Sequence, residues 1–345
     1  MIPIQNIYYM LSYAFQVLNE QCYKNIATEQ FHNTAELMAA ILEKGIAIQL
    51  KRGLGKEYIP QTEALSSLRG KIDIAESIKT QSMLRKQLIC TYDEFSVNSI
   101  MNRIIKSTVE LLLRSNISKQ RKKNLRKLMV YFSEVDFIDL YTVNWNVQYN
   151  RNNQTYRMLI SICYLVVKGL LQTQSNGHTK LMDFLDEQRM CRLYEKFILE
   201  YYRREFKNQI TANASQIPWQ LDNEENSMLP VMQSDIMLQS GEKVLIIDAK
   251  YYEHSIQVQF DKHTLHSGNL YQIFTYVKNK EYELREKDHT VSGMLLYAKT
   301  DEEIYPNNVY QMSGNQITVR TLGLNLPFDE IAGQLNTIAK THFDL

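Results

Sequence analysis

The sequence predicts a mixed α/β chain in two parts: an N-terminal α+β domain over residues 1–175 and, over 176–345, a mixed sheet flanked by helices. Three observations predict it. Apolar residues at helical spacing open the chain and give way to a basic, turn-rich, strand-forming stretch. A polar, turn-prone segment, QTQSNGHT at 172–179, separates two apolar helical patterns. The second half then orders as helix, strand, hairpin, helix, strands and helix around one strongly apolar run, KVLIID (243–248), which suits a strand buried on both faces.

Composition agrees with this and narrows the class. With 345 residues, 44% of them apolar and 22% charged, there is material for two cores. A net charge of +1 neither demands nor excludes nucleic acid, since a basic patch can coexist with a neutral total. Cys22, Cys90, Cys163 and Cys191 lie far apart with no C-x-x-C, so neither a zinc knuckle nor a disulfide framework is suggested, and a reducing cytoplasm is expected. The start lacks a charged signal-peptide n-region, and the longest apolar run, 158–171, contains Lys168 and is too short for a bilayer. A soluble protein with no membrane contact is expected.

In order, residues 4–20 and 34–50 read as helices, the second interrupted by Gly45. Residues 51–74, punctuated by Gly53, Gly55, Pro60 and Gly70, read as a small β element carrying Lys51, Arg52, Lys56, Arg69 and Lys71. Its GLGK is not a phosphate loop, because the G-x-x-x-x-G-K-[ST] spacing is missing. A strand at 87–95 precedes helices at 97–115 and 118–132. The second of these carries the basic cluster Lys119, Arg121, Lys122, Lys123, Arg126 and Lys127, read first as a solvated face, with phosphate or partner contact as the alternative. A strand is expected over 139–150 around Trp145, then a buried helix over 154–173. Beyond the boundary come an amphipathic helix (193–206), strands at 217–221, 231–238 and 243–248, a helix (266–280), strands near 291–298, 307–312 and 316–321, and a last helix from Pro327.

The chemistry gathers at the hairpin. Asp248 and Lys250 are two residues apart on a strand and so point to one side, roughly 6–7 Å apart. Asp235, on the preceding strand, can reach the same place. Two carboxylates beside a lysine at a sheet margin suit a hard divalent cation that keeps several waters. The plain alternative is that Asp248 closes the strand and Lys250 is solvated. On the following helix, Gln272 and Tyr276 are four apart and share a face.

Asp235, the D-A-K of 248–250 and the Q-I-F-T-Y of 272–276 together resemble the PD-(D/E)xK nuclease fold in its subgroup with a Q-x-x-x-Y helix. With IPIQNIYYMLSYA at the start, NRIIKST at 102–108, LIIDAKYY and NLYQIFTY, nearly the whole chain resembles the McrC family, the nuclease subunit of the McrBC modification-dependent restriction system. One departure is that Ser234, and not proline, precedes Asp235.

The resemblance implies a Mg²⁺-dependent endonuclease using one or two ions, cutting double-stranded DNA in phage defence. It would act when docked on a GTP-hydrolysing AAA+ hexamer that recognises 5-methylcytosine. It implies Asp235, Asp248, the Ala249 carbonyl and Glu195 as metal ligands, with Glu200 a competitor for the last place. Lys250 would act on the attacking water, and Gln272 and Tyr276 would line the DNA side. Lys51, Arg52, Lys56, Arg69 and Lys71 would face the ring. The competing readings are a catalytically inactive adaptor with the same fold, bridging DNA and a motor, and a freestanding repair exonuclease.

Overall fold

A computed structural model describes residues 2–345 except 16, 17, 19–22, 24, 25, 27, 28, 152, 176–186, 223–227, 252–256, 260, 261 and 300–305; the side chains of 168–175, 187–189, 257–259 and 262–264 also lie outside the description. The chain forms two compact units, one of residues 1–27 with 185–345 and one of 28–184. The sequence placed residues 1–27 with the N-terminal domain; they fold with the C-terminal unit. Helix α1 (Ile4–Ala14) buries Ile7, Tyr8, Met10 and Leu11, and its Asn6 Nδ2 donates to the carbonyls of Leu324 and Leu326, 2.8 Å each. Periodicity shows that a helix has an apolar face, not which distant segment covers it. Of the helix expected over 4–20, residues 16, 17, 19 and 20 lie outside the description, as do 176–179 of the expected linker.

In the unit of 28–184, helix α2 (Thr34–Arg52) starts at Asn33, whose side chain accepts from the Glu36 amide, and runs through Gly45 to Gly53. Strands β1 (Glu57–Leu65), β2 (Lys71–Asp73) and β3 (Leu88–Ser96) form an antiparallel sheet in the order β1-β3-β2, with the short helix α3 (Ile74–Lys79) after β2. Pro60 is tolerated because β1 is an edge strand. Gly70 has φ 70°, and a Cβ there would stand 2.3 Å from the Thr91 carbonyl oxygen, so this turn needs glycine.

Helices α4 (Ile100–Arg114), α5 (Lys119–Met129) and α6 (Tyr156–Ser175) pack with α2 around Leu37, Ile41, Ile104, Val109, Leu125 and Val166. The buried Asn102 ties this bundle to the root of the sheet: its Nδ2 donates to the carbonyls of Gly55 (2.9 Å) and Val97 (2.8 Å), and its Oδ1 accepts from Tyr156 OH (2.7 Å). The strand expected over 139–150 does not form. Val143, Trp145, Val147 and Tyr149 alternate in burial as a strand would, but among the described residues no strand pairs with them. Alternation reports a surface on one side of the chain, and a ladder also needs a neighbour.

In the other unit, helix α7 (Glu187–Glu205) is followed by β4 (Thr211–Asn213), β5 (Gln216–Ile217), β6 (Met232–Gln233), β7 (Ile236–Ser240), β8 (Lys243–Lys250), β9 (Gln257–Gln259) and β10 (Lys262–Thr264). Helix α8 (Ser267–Leu284), β11 (Thr290–Ala298), β12 (Asn308–Met312), β13 (Asn315–Leu322) and α9 (Phe328–Phe343) complete it. The six-stranded sheet runs β12-β13-β11-β8-β7-β4, parallel where β11 meets β8 and β13 and antiparallel elsewhere. A two-residue turn with Gly241 at φ 56° joins β7 to β8. Helix α8 lies close against one face because position 293 is glycine: a Cβ there would stand 2.8 Å from Ile273 and 2.9 Å from Val277. Among the described residues no helix is long and apolar enough to cross a membrane.

Candidate active site

The site begins with a strand that changes partners. The sequence reads 231–238 as one strand; the structure breaks it at Ser234 and Asp235. β6 pairs with β5, whereas β7 pairs with β4 and β8. Ser234, 1% exposed, holds the break, its amide donating to the Ser215 carbonyl (3.0 Å). Asp235 thus stands one step beyond the first paired residues of the hairpin, Ile236 and Ile247, opposite Asp248. Its Oδ2 accepts the Ala249 amide (3.0 Å) in place of a ladder carbonyl.

Along β8, Val244 and Ile246 pack against Ile273, Tyr276 and Val277 of α8, so by the two-residue period Asp248 and Lys250 face that helix as well. Lys250 Nζ donates to Asp248 Oδ1 (3.0 Å) and to Gln272 Oε1 (3.3 Å), and Gln272 Nε2 donates to Tyr276 OH (2.9 Å). Asp248 is 1% exposed. Its Oδ2 lies 2.9 Å from Lys250 Nζ as an ion pair, yet has no hydrogen-bond partner among the described residues. Burial pushes the Asp248 carboxyl up to about 7; Lys250 opposes this, and Asp235, close enough to share a proton, adds to it.

Helix α7 supplies Glu195. Burial first, then Asp235, raises its carboxyl above the usual range. Its Oε1 accepts from Cys191 Sγ (3.0 Å), which also approaches the Ala249 carbonyl at 3.9 Å. The Cys191 thiol is pushed up to about 12 by burial and by Glu195, so it remains a donor. Glu200 is turned to Arg203 (2.8 Å).

The structure therefore brings together Asp235, Asp248, Lys250, Gln272 and Tyr276, with Glu195 and the Ala249 carbonyl joined through Cys191. Tyr276 departs from its expected place: it is 8% exposed and stands behind Gln272, because its ring belongs to the core under α8. Cys191 was not singled out, although its spacing of four from Glu195 was the available signal. Tyr252 lies outside the described residues. In the other unit, Lys51 and Arg52 close α2. Lys56 lies over the Phe95 ring at 5.7 Å, Arg69 over the Tyr92 ring at 4.0 Å, and Lys71 opens β2.

Among the described residues no three His, Cys, Asp or Glu side chains already form a cage. A hard ion that keeps its waters needs only one or two carboxylates, and the donors here are hard oxygens, one of them buried and, among the described residues, ion-paired to Lys250 but without a hydrogen bond. The residues fit such an ion.

Fold and site define an α/β protein with a carboxylate–lysine centre at the margin of a mixed sheet. The family described as McrBC 5-methylcytosine restriction system component matches residues 5–298. In Escherichia coli (strain K12), the protein described as Type IV methyl-directed restriction enzyme EcoKMcrBC is 30% identical over 329 residues, covering 94% of this chain and 93% of that one. The chain belongs to this McrBC family. Among solved structures, the half-complex of Thermococcus gammatolerans McrB AAA+ hexamers with bound McrC aligns over 97% of this chain and 76% of that one at 17% identity and a TM-score of 0.47. The cryo-EM structure of the Thermococcus gammatolerans McrBC complex aligns over 59% of each chain at 20% identity and a TM-score of 0.42.

Proposed function

We propose that this chain is a Mg²⁺-dependent DNA endonuclease of the PD-(D/E)xK type, the cleaving subunit of a 5-methylcytosine-directed restriction system, working with a GTP-hydrolysing AAA+ hexamer. One observation carries the reading: Asp248 is buried beside Asp235 at the sheet margin, ion-paired to Lys250, which also reaches Gln272. Two carboxylates forced together disfavour joint ionisation, which a divalent cation relieves. Asp235 and Asp248 would hold one or two Mg²⁺ ions, with Glu195 and the Ala249 carbonyl beside them. When bound, the ion supplies charge neutralisation at the phosphate and a more acidic water.

The chain's own groups do the rest. Lys250 orients the attacking water and stabilises charge developing on the phosphate as a compact cation. Gln272 holds Lys250 in place, and Tyr276 holds Gln272. Cys191 keeps the Glu195 carboxylate turned toward the site. For the partner, the three-stranded sheet of the other unit offers Lys56, Arg69 and Lys71 beside Tyr58 and Phe95, 73% and 54% exposed; Lys51 and Arg52 lie nearby in sequence. Exposed aromatic side chains beside arginine suit a protein interface.

The test is cleavage of methylated and unmethylated duplex by the full chain, with and without the AAA+ partner, GTP and Mg²⁺. Cleavage is expected only with all of these on methylated DNA, and loss of it in Asp248→Ala. Wild-type cleavage by Asp248→Ala sinks the site. No cleavage by the wild type under any of these conditions leaves the adaptor reading.

A further inference from the structure

The basic cluster of α5 is not a uniform halo. Between Glu110 and Glu134 the sequence has no acidic residue. Within α5, Lys119, Lys122, Lys123, Arg126 and Lys127 follow the spacing of a single helix face and at 100° per residue span an arc of about 140°. Arg121, Asn124, Leu125 and Leu128 occupy the opposite face. That inner face is anchored. Arg121 donates to Glu43 (2.9 Å), to Glu36 (3.4 Å) and to Glu29, and Asn124 donates to Glu43 (2.9 Å). Glu36 also takes the Ser118 amide (2.7 Å) and hydroxyl (2.8 Å) at the helix start.

With the helix so held, the five outer cations form no ion pair among the described residues; Lys119, Lys123, Arg126 and Lys127 are exposed and Lys122 is half-buried. Arg126 and Lys127 suit the dipole at the end of α5, but elsewhere the arrangement works against the helix. Lys119 with Lys123, Lys122 with Arg126, and Lys123 with Lys127 are like charges at i,i+4, which disfavour a helix. The first turn, where the helix dipole favours acids, contains none. A stripe that opposes its own helix, on a rigid mount, is explained by an external polyanion.

We propose that this face of α5 is a sequence-independent grip for the phosphate backbone of duplex DNA, separate from the residues that cut. The proposal rests on the reading of the chain as acting on DNA. From Lys119 to Lys127 the stripe runs about 12 Å at 1.5 Å per residue. Over that length a duplex presents about seven phosphate charges, at one per about 1.7 Å, more than enough for five cations. An acidic protein surface is the competing occupant. It would lack the regular charge spacing of DNA and would not show the linear log–log salt dependence of counterion release.

The experiment measures binding of the full chain to a fluorescent unmethylated duplex by anisotropy over a salt series, for the wild type, a Lys119→Gln/Lys123→Gln/Lys127→Gln variant, and Asp248→Asn, and in a second arm measures for the same three proteins binding of the AAA+ partner and, with that partner, GTP and Mg²⁺, cleavage of a methylated duplex. The triple variant is expected to lose about tenfold or more in affinity at moderate salt, and its log K against log salt slope is expected to be shallower by about 3, one per lost phosphate contact. Its melting temperature should stay close to that of the wild type, since the repulsion removed offsets the loss of Lys127 from the last turn. Asp248→Asn should keep the wild-type slope while losing cleavage. Wild-type affinity and slope in the triple variant overturn the grip, as does a wild type that does not bind the duplex at all. Loss of partner binding with DNA affinity unchanged assigns the face to a protein and also overturns it. Cleavage by Asp248→Asn instead overturns the nuclease site and leaves the stripe result standing.

Discussion

Each unit of this protein sets three carboxylates around one cation, and the two arrangements resolve differently. In the unit of 28–184, Arg121 meets Glu29, Glu36 and Glu43, and both oxygens of Glu36 and of Glu43 accept hydrogen bonds from Arg121, Ser118 or Asn124. In the other unit, Lys250 faces Asp248 and Asp235, with Glu195 from α7. There, among the described residues, an Asp248 oxygen is left without a hydrogen bond, and the Asp248 carboxyl is pushed up to about 7. A guanidinium brings five donors in a flat fork and can serve several carboxylates at once; an ammonium brings three. The first cluster therefore completes itself and holds α5 to α2. The second keeps an excess of carboxylate oxygen, which suits a divalent cation.

The sharpest way to break this comparison is to remove the cation from each cluster. Lys250→Ala is expected to lower cleavage by about 10²–10³-fold or more, the scale of removing one group that stabilises transition-state charge, in a chain that still folds because the Asp248 carboxyl, already pushed up to about 7, takes up a proton once the ammonium is gone. A stable variant that cuts at the wild-type rate would make Lys250 a mere ion-pair partner. Arg121→Met is expected to do the reverse, lowering stability by about 2–3 kcal/mol. That is less than the ~3–5 kcal/mol of a fully buried pair, because the Glu29 side chain is 42% exposed. Chemical denaturation measures it, and an unchanged midpoint would show that the cluster contributes nothing to holding α5.

The cation can also be added. Ca²⁺ at a hundredfold excess over its dissociation constant should stabilise the wild type by about 2.7 kcal/mol and Asp235→Asn far less. Equal thermal shifts in the two proteins would remove Asp235 from the ligand set. A smaller effect is expected at Cys191. Cys191→Ala should weaken Ca²⁺ affinity severalfold and Cys191→Ser should restore it, because the hydroxyl can again donate to Glu195; failure of the serine to rescue would leave the thiol a packing role only.

Much of the site was legible in the sequence because it is local. Asp248 and Lys250 share a face by the two-residue period of a strand, and Gln272 and Tyr276 by the four-residue step of a helix. What could not be read was the partner change at Ser234, which takes Asp235 out of the ladder. Nor could Glu195 and Glu200 be told apart, since both lie on one helix and only the neighbours, Asp235 for one and Arg203 for the other, distinguish them. The expected strand at 139–150 failed for the same kind of reason: its alternation is real, its partner is missing.

By itself the sequence determined most of the elements, the buried hairpin strand and the acid–acid–lysine set, because backbone periodicity and short-range spacing are properties of a chain before it folds. Only the tertiary structure decided that α1 joins the C-terminal unit, that Arg121 turns inward and leaves a stripe of five cations behind, and that Tyr276 supports Gln272 from the core. Each of these depends on which distant surface covers a given face, and burial between distant segments is settled by packing.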